Sequence, residues 1–285
     1  MRRFGLALGG GGLKGAAHLG VLQVLVENHL YPDLVVGTSA GSIAAALFCS
    51  GKMSNLRVLK ELVQFVIPGK NFLKSWPSGL LNGKLLEQIL KETLGTLKFS
   101  ELKIPMAAVA CDLYSGNTVV YTSLIPSRPL PPGTILGGDI AVWQAVRASI
   151  SLPGIFSPVP VGPYLLVDGG VTCNVPADIA RFLGASAIIA VDLSTPKAPR
   201  SFDHPGEVLW RSFEIMGSRL TTTILSLYAD LVISPFRALE NPPGFWEAHR
   251  IKEFVEAGKA STQAALPKIK ELLGKYSLIA PKNGE

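Results

Sequence analysis

The chain has 285 residues, of which 48% are hydrophobic and 17% are charged. This length suits one large α/β domain, and the low charged fraction predicts that much of the chain is buried or faces an apolar partner. The net charge of +6 is spread along the sequence without a dense Lys/Arg run, which argues against a nucleic-acid-binding protein. It leaves open a basic surface that contacts anionic lipid, and a charge that serves solubility alone.

The sequence predicts neither export nor a membrane span. The apolar segment at residues 4–8 is too short for a signal peptide, and the one at residues 42–49 is too short to cross a bilayer. Three cysteines, Cys49, Cys111 and Cys173, match no zinc or CxxC spacing. We therefore expect buried, reduced thiols, no metal or cofactor, and a cytoplasmic protein, with peripheral contact at the inner face of the membrane left open.

Short apolar runs alternate with segments of helical periodicity along the chain. The apolar runs predict strands over residues 4–9, 33–39, 104–113, 118–123, 163–170, 185–194 and 229–235. The periodic segments predict helices over residues 13–30, 40–51, 139–150 and 247–275. This alternation predicts an α/β protein with three layers, α/β/α, around a mainly parallel sheet. We expect residues 1–235 to form this domain and residues 236–285 to form a helical extension packed on it.

Two further stretches have a less regular pattern. Residues 52–100 are expected to be helical with loops. Residues 124–139 contain four prolines and predict a long loop, which is a candidate lid if it lies near a site.

The segment around Ser39 has the pattern of a nucleophile turn. Gly37, Ser39 and Gly41 form G-x-S-x-G between a predicted strand and a predicted helix. A serine there projects from a sharp turn, which small neighbours allow to close. The helix that begins at Ala40 would direct its amino end, and the Ala40 N–H group, at developing negative charge. The alternative is an ordinary strand-to-helix turn in which Ser39 is the N-cap.

A run of glycines follows the first predicted strand. Bare N–H groups at Gly10, Gly11 and Gly12 suit an oxyanion hole, because they donate without side-chain clash. The same run, with Gly15, matches the G-x-G-x-x-G pattern of dinucleotide-binding proteins, and Asp33 lies near the position of the ribose-binding acid. Asp33 precedes the second apolar run instead of ending it, which counts against the dinucleotide hypothesis.

Asp168 ends a predicted strand and is followed by Gly169 and Gly170. Apolar surroundings would raise the pKa of this carboxyl group and make it a better base, whereas the alternative is a turn aspartate bound to nearby backbone. The carboxyl ends of parallel strands share one edge of a sheet, so we expect this turn, the glycine run and the serine turn to meet. His204 and His249, the histidines that follow, lie in polar contexts, which favours a two-residue Ser–Asp site over a triad.

Four segments together resemble the patatin-like phospholipase family. They are GGGGLKGAAHLGVL (9–22), GTSAGS (37–42), RASISLPGIFSPV (147–159) and DGGVTCNVP (168–176). The four segments occur in the same order as in the family, and the resemblance extends from about residue 4 to residue 192. It is greatest to the small, single-domain bacterial members.

This resemblance implies a three-layer α/β/α fold and a metal-free Ser–Asp dyad. Ser39 matches the family nucleophile, Asp168 matches the family aspartate, and the glycines at 10–12 match the oxyanion loop. Lys14 stands where the family has Arg or Lys, so it would add positive charge or anchor the loop, although a solvated helix residue is the alternative. Gly9 departs from plant members, which often have aspartate there. The implied substrates are phospholipids, lysophospholipids or neutral acyl esters.

The sequence therefore favours a serine hydrolase of lipid acyl esters that forms an acyl-enzyme. A lipid-binding or regulatory module with a little-used dyad and a dinucleotide enzyme remain as alternatives. For contact with an anionic membrane, the sequence offers an apolar and basic cluster within residues 70–81, which includes Phe72 and Trp76.

Overall fold

The computed structural model of the protein describes residues 3–53, 83–195, 205–237 and 247–276. Within them, nine strands form one sheet. In chain order the strands are β1 (Phe4–Leu8), β2 (Leu34–Thr38), β3 (Met106–Asp112), β4 (Thr118–Thr122), β5 (Thr134–Leu136), β6 (Val159–Val161), β7 (Tyr164–Asp168), β8 (Ala187–Val191) and β9 (Leu231–Ile233).

The main path of the sheet is β5-β4-β3-β2-β1-β8-β9, with the β6–β7 hairpin attached through β7 to β3. The five strands β3, β2, β1, β8 and β9 are all parallel to one another. β4 runs antiparallel to β3, and β5 follows the direction of β4. The predicted mainly parallel sheet is therefore confirmed.

Seven α-helices accompany the sheet in the described residues. They are α1 (Ala17–Glu27), α2 (Ala40–Cys49), α3 (Lys84–Leu94), α4 (Val142–Ser149), α5 (Ala177–Phe182), α6 (Pro205–Tyr228) and α7 (Ile251–Lys275). None of the helices in these ranges combines the length and the hydropathy that a bilayer-spanning segment needs.

Alternation along the strands divides the core into two clusters, one on each face of the sheet. In β1, Leu6 and Leu8 belong to the first cluster, whereas Ala7 belongs to the second. α1, α2, α3, α4 and α7 contribute buried side chains to the first cluster, and α5 and α6 contribute to the second. This arrangement of helices on both faces confirms the predicted three-layer α/β/α fold. Cys49, Cys111 and Cys173 are buried and free, as expected.

Several local predictions require correction. The predicted helix over 13–30 begins as a 3-10 turn, Gly12–Ala16, and becomes α-helical only at Ala17. The predicted loop at 124–139 contains the short strand β5, and the sequence analysis did not identify β6, α5 or α6. The helix predicted over 139–150 begins at Val142.

β2 and β7 meet end to end along one edge of β3. Thr38, the last residue of β2, lies opposite Val109, and Asp168, the last residue of β7, lies opposite Ala110, the next residue of β3. We expected Asp168 at the carboxyl end of a parallel strand, but β7 is antiparallel to β3. Its carboxyl end nevertheless reaches the carboxyl end of β2, because β7 begins beyond the point where β2 stops and runs back toward it.

The C-terminal helix α7 packs against α1 at unusually short range. A Cβ atom on Gly258 would overlap the carbonyl oxygen of Ala17, and one on Gly20 would overlap the carbonyl oxygen of Val255. Only glycine lets the two backbones approach this closely, because the obstructing atoms belong to the main chain and cannot rotate away.

We predict that Gly258→Ala lowers the free energy of unfolding by about 1–3 kcal/mol, because the new methyl group forces the two helices apart. The measurement is urea denaturation followed by circular dichroism. Gly274→Ala, in the same helix, is the matched control: a Cβ atom there has nothing within 4 Å, so stability should be unchanged or slightly higher. Equal destabilisation by both variants would contradict the proposed backbone contact.

Candidate functional site

Ser39 occupies a strained turn between β2 and α2. Its backbone has φ 53° and ψ −125°, in the left-handed region that non-glycine residues rarely adopt. Gly41 allows the turn, because a Cβ atom there would overlap the carbonyl oxygen of Leu8, and Gly37 lies directly against Gly41. Ser39 is the N-cap residue of α2, but its side chain makes no capping hydrogen bond to the helix.

Asp168 is buried, with 3% of the residue exposed. Its Oδ1 accepts a hydrogen bond of 2.7 Å from the Gly170 N–H group, whereas its Oδ2 is buried without a hydrogen-bond partner. Burial raises the pKa of the carboxyl group to about 6, and the nearby Ser39 hydroxyl and the Gly170 N–H group oppose part of this shift. The Ser39 hydroxyl is thus close enough to act on the carboxyl group, but no hydrogen bond of normal geometry joins it to Oδ2. One oxygen of Asp168 is therefore held by the backbone and the other is left to accept a proton.

Only some of the N–H groups of the glycine loop are available to a ligand. Gly10 is buried and its N–H group donates to the carbonyl oxygen of Asn174 at 3.0 Å. Gly11 and Gly12 are partly exposed, as are Ser39 and Ala40. Gly12 and Ala40 begin helical turns, where the first N–H groups have no partner within the helix. The expectation that Gly10 donates to an oxyanion is therefore corrected: its N–H group holds the loop in place.

Gly15 connects the glycine loop to the serine turn, since it packs directly against Ala40. On the other side, Gly169 packs against the carbonyl oxygen of Val109 and approaches Thr38. The glycines on these three loops therefore allow the loops to lie in contact.

Two basic side chains lie behind the glycine loop. Lys14 is 7% exposed, so its interpretation as a solvated helix residue is wrong. Burial lowers the pKa of Lys14, and the carboxylates of Glu214 and Asp192 oppose that shift. The His18 Nε2–H group donates to the Gly9 carbonyl oxygen at 2.7 Å, and burial lowers the pKa of the ring to about 4. His18 is therefore neutral, and its hydrogen bond to Gly9 supports the start of the glycine loop.

A segment whose role the sequence analysis did not recognise connects the serine turn to Asp168. The Ser39 N–H group donates to Ser149 Oγ at 2.9 Å, and the Ser149 hydroxyl donates to the Val109 carbonyl oxygen at 2.6 Å. Two residues further, the Ser151 carbonyl oxygen accepts the Asp168 N–H group at 2.9 Å. Ser149, which is anchored to Val109, thus holds the Ser39 backbone, and Ser151 holds the Asp168 backbone, through one hydrogen bond each. The only signal in the sequence for this role is the segment at residues 147–159, which resembles the patatin-like family.

The remaining predicted residues lie elsewhere. Asp33 pairs with the backbone of Phe4 at the amino ends of β1 and β2, on the edge of the sheet opposite the glycine loop. The ribose acceptor of the dinucleotide hypothesis is therefore misplaced. His249 is exposed in a short turn before α7, and His204 lies outside the described residues. No group of three metal-binding side chains occurs in the described ranges.

Comparisons with known proteins identify the family of the chain. The family model described as patatin-like phospholipase matches residues 6–181. The neuropathy target esterase sws of Drosophila melanogaster is 31% identical over 198 residues, which cover 67% of this chain and 13% of that protein. An NTE family protein of Mycobacterium tuberculosis is 32% identical over 201 residues, which cover 70% of this chain and 31% of that protein. The chain thus spans a minor part of these relatives.

The fold also has a solved counterpart. The crystal structure of VipD from Legionella pneumophila matches with a TM-score of 0.52 and 13% identity, over 94% of this chain and 67% of that one. At this identity the likeness concerns the fold alone.

We predict that Ser149→Ala lowers the free energy of unfolding by about 1–3 kcal/mol, because the Ser39 N–H group and the Val109 carbonyl oxygen both lose a partner. Thermal and urea denaturation measure the effect. Ser127→Ala is the control, since it removes one exposed side-chain hydrogen bond to the Phe182 carbonyl oxygen and should cost less than about 0.5 kcal/mol. A loss no larger than that of the control would show that Ser149 does not brace the turn.

Proposed function

The chain belongs to the patatin-like phospholipase family, a family of lipid ester hydrolases, and we propose that it hydrolyses carboxylic esters of lipids with Ser39 as nucleophile and Asp168 as base. The observation that carries this proposal is the buried, unpartnered Oδ2 of Asp168 beside the strained turn of Ser39. A buried carboxylate with a free acceptor and a pKa of about 6 is suited to take a proton near neutral pH.

In the first step, Ser39 Oγ attacks the carbonyl carbon of the ester while its proton passes to Asp168 Oδ2. The carbonyl oxygen becomes an oxyanion, for which we propose the N–H groups of Gly11, Gly12 and Ala40 as donors. These residues are accessible, and Ala40 stands at the amino end of α2, where the helix dipole favours negative charge.

The tetrahedral intermediate then collapses. The bond to the alkoxy oxygen breaks, the alcohol or lysolipid leaves with the proton held by Asp168, and the acyl group remains on Ser39. Water then hydrolyses the acyl-enzyme: Asp168 takes a proton from the water as its oxygen adds to the acyl carbon. The bond from the acyl carbon to Ser39 Oγ breaks, Oγ regains the proton from Asp168, and the carboxylic acid leaves. A carboxylate is a weak base toward an alcohol, so the oxyanion donors must provide much of the rate, on the order of 10²–10³ for each donor.

We expect Ser39→Ala to reduce the hydrolysis of 4-nitrophenyl butyrate by at least about 10⁴-fold, because no acyl-enzyme can form. The same variant should lose covalent labelling by a fluorophosphonate probe. Ser50→Ala, at the end of the same helix, keeps the turn intact and should retain activity and labelling. Full activity in Ser39→Ala would overturn the proposed nucleophile, and lipid retention by an unlabelled wild type would favour a lipid-binding module.

The pH dependence of ester hydrolysis should follow the ionisation of the Asp168 carboxyl group. Because the base must be ionised, kcat/KM should fall about tenfold per pH unit below a pKa of about 6 and level off above it. The titration would not itself unfold the protein. A carboxyl group whose pKa is raised on folding stabilises the folded state below its unfolded pKa and loses that contribution as the pH rises through about 6.

The measurement is hydrolysis of a soluble ester between about pH 5 and pH 8, with circular dichroism at each pH as the control for folding. Activity that stays constant down to the ordinary aspartate pKa of about 3.9 would contradict a buried base at position 168.

A further inference from the structure

An apolar groove begins beside the proposed oxyanion donors and runs along α2. On that helix it is lined by Ala40, Ile43, Ala44 and Leu47. Their spacings of three, one and three residues place them on one face of the helix, because three or four residues complete a turn. Ala40 is the donor that we propose in α2, so this wall of the groove starts where the carbonyl group of the ester would lie.

The facing wall comes from the segment that follows the glycine loop. It extends from Gly12, through the 3-10 turn Gly12–Ala16, to Leu19 of α1. Gly12 is itself a proposed oxyanion donor. The two walls lie in contact near this end, since a Cβ atom on Gly15 would overlap the Cβ atom of Ala40. Both walls therefore begin at the loops that would hold the oxyanion.

The C-terminal helix bounds the other end of the groove. Ile251, the first residue of α7, is one of the lining residues. Gly258 of α7 lies against Ala17. Three residues earlier in α7, Val255 lies against Gly20, three residues later in α1, so the two helices are antiparallel. This register carries Ile251 away from the glycine loop. α7 also lies beyond residues 6–181, to which the family model extends.

The lining of the groove indicates what it holds. In the described part of the chain the lining residues are all glycine, alanine, leucine or isoleucine. The cavity has a volume of about 40 Å³. One water molecule needs ~10–15 Å³ of such space, so the cavity has room for about three or four atoms of the size of carbon. An apolar cavity binds hydrocarbon in preference to water, and the N–H groups of Gly12 and Ala40 stand at its start. A carbonyl group bonded to a short hydrocarbon chain matches both features.

We propose that this groove is the acyl-chain subsite, which holds about three or four carbon atoms beyond the carbonyl carbon, and that Ile251 of α7 limits the length of the chain. The proposal rests on the proposed function, because the oxyanion donors fix the position of the ester carbonyl. The apolar and basic cluster within residues 70–81, the other lipid-contacting segment that the sequence suggests, lies outside the described residues.

The test compares kcat/KM of the full chain for 4-nitrophenyl acetate, butyrate and octanoate. The wild type should prefer the butyrate, because each methylene group buried in the groove adds about fourfold, whereas the octanoate overruns Ile251. Ala44→Leu fills the groove, so the butyrate-to-acetate ratio should fall by about tenfold. Ile251→Ala extends the groove, so the octanoate-to-butyrate ratio should rise by about fivefold or more.

A ratio of two substrates measured on one preparation does not depend on the fraction of the protein that is folded, so partial misfolding of a variant cannot imitate these effects. Lys252→Ala is the matched control for Ile251→Ala, because Lys252 is its exposed neighbour and does not line the groove. It should keep the wild-type ratios. Unchanged ratios in both Ala44→Leu and Ile251→Ala, or a wild type that prefers the octanoate, would overturn the proposal.

Binding to Ser39→Ala separates this proposal from the proposed function, since this variant forms no acyl-enzyme but keeps the groove. In titration calorimetry, Ser39→Ala should bind N-phenylbutanamide at least about fivefold more tightly than N-phenylacetamide. Ser39→Ala/Ala44→Leu should lose this difference. If that pattern appears while the wild type hydrolyses no ester, the subsite stands and the hydrolase fails. Ester hydrolysis without a chain-length effect in either assay would support the hydrolase and overturn the subsite.

Discussion

The end-to-end meeting of β2 and β7 beside β3 is the constraint on which the site depends. Thr38 ends β2 and Asp168 ends β7. These two residues lie opposite Val109 and Ala110, which are consecutive in β3. A sheet fixes such positions through its backbone ladder, so the approach of Ser39 to Asp168 does not rely on flexible side chains. One residue of slippage in either strand would turn its terminal side chain to the other face of the sheet. Both core clusters, one on each face, oppose such slippage.

Burial makes the same location reactive. Asp168 is enclosed by strand ends and loops, and its pKa rises because the charged form is poorly solvated there. The free Oδ2 and the positive φ of Ser39 are both unfavourable for folding alone. The surrounding hydrogen bonds from Ser149 and Ser151 hold these unfavourable features in place, as is usual where a scaffold prepares a site for chemistry.

Much of this architecture could be predicted from the sequence. The apolar runs located β1, β2, β3 and β8 to within a few residues, because strands buried on both faces have a strong local signal. The direction of β7 could not be predicted, since it depends on a neighbour more than fifty residues away. Nor could α6 be predicted, because its apolar residues are interspersed with serine, threonine and glycine. Ser39 and Asp168 were found through their turns, whereas Ser149 was not, because its hydrogen bond spans 110 residues.

The hydrogen bond from Gly10 to Asn174 joins the loop that follows β1 to the loop that follows Asp168. Asn174 lies six residues after Asp168, and Asp168 already holds its own loop through Gly170. The loop that carries the proposed oxyanion donors is therefore hydrogen-bonded directly to the loop that follows the proposed base. A displacement of the loop after Asp168 would therefore also shift the glycine loop, because this hydrogen bond joins their backbones.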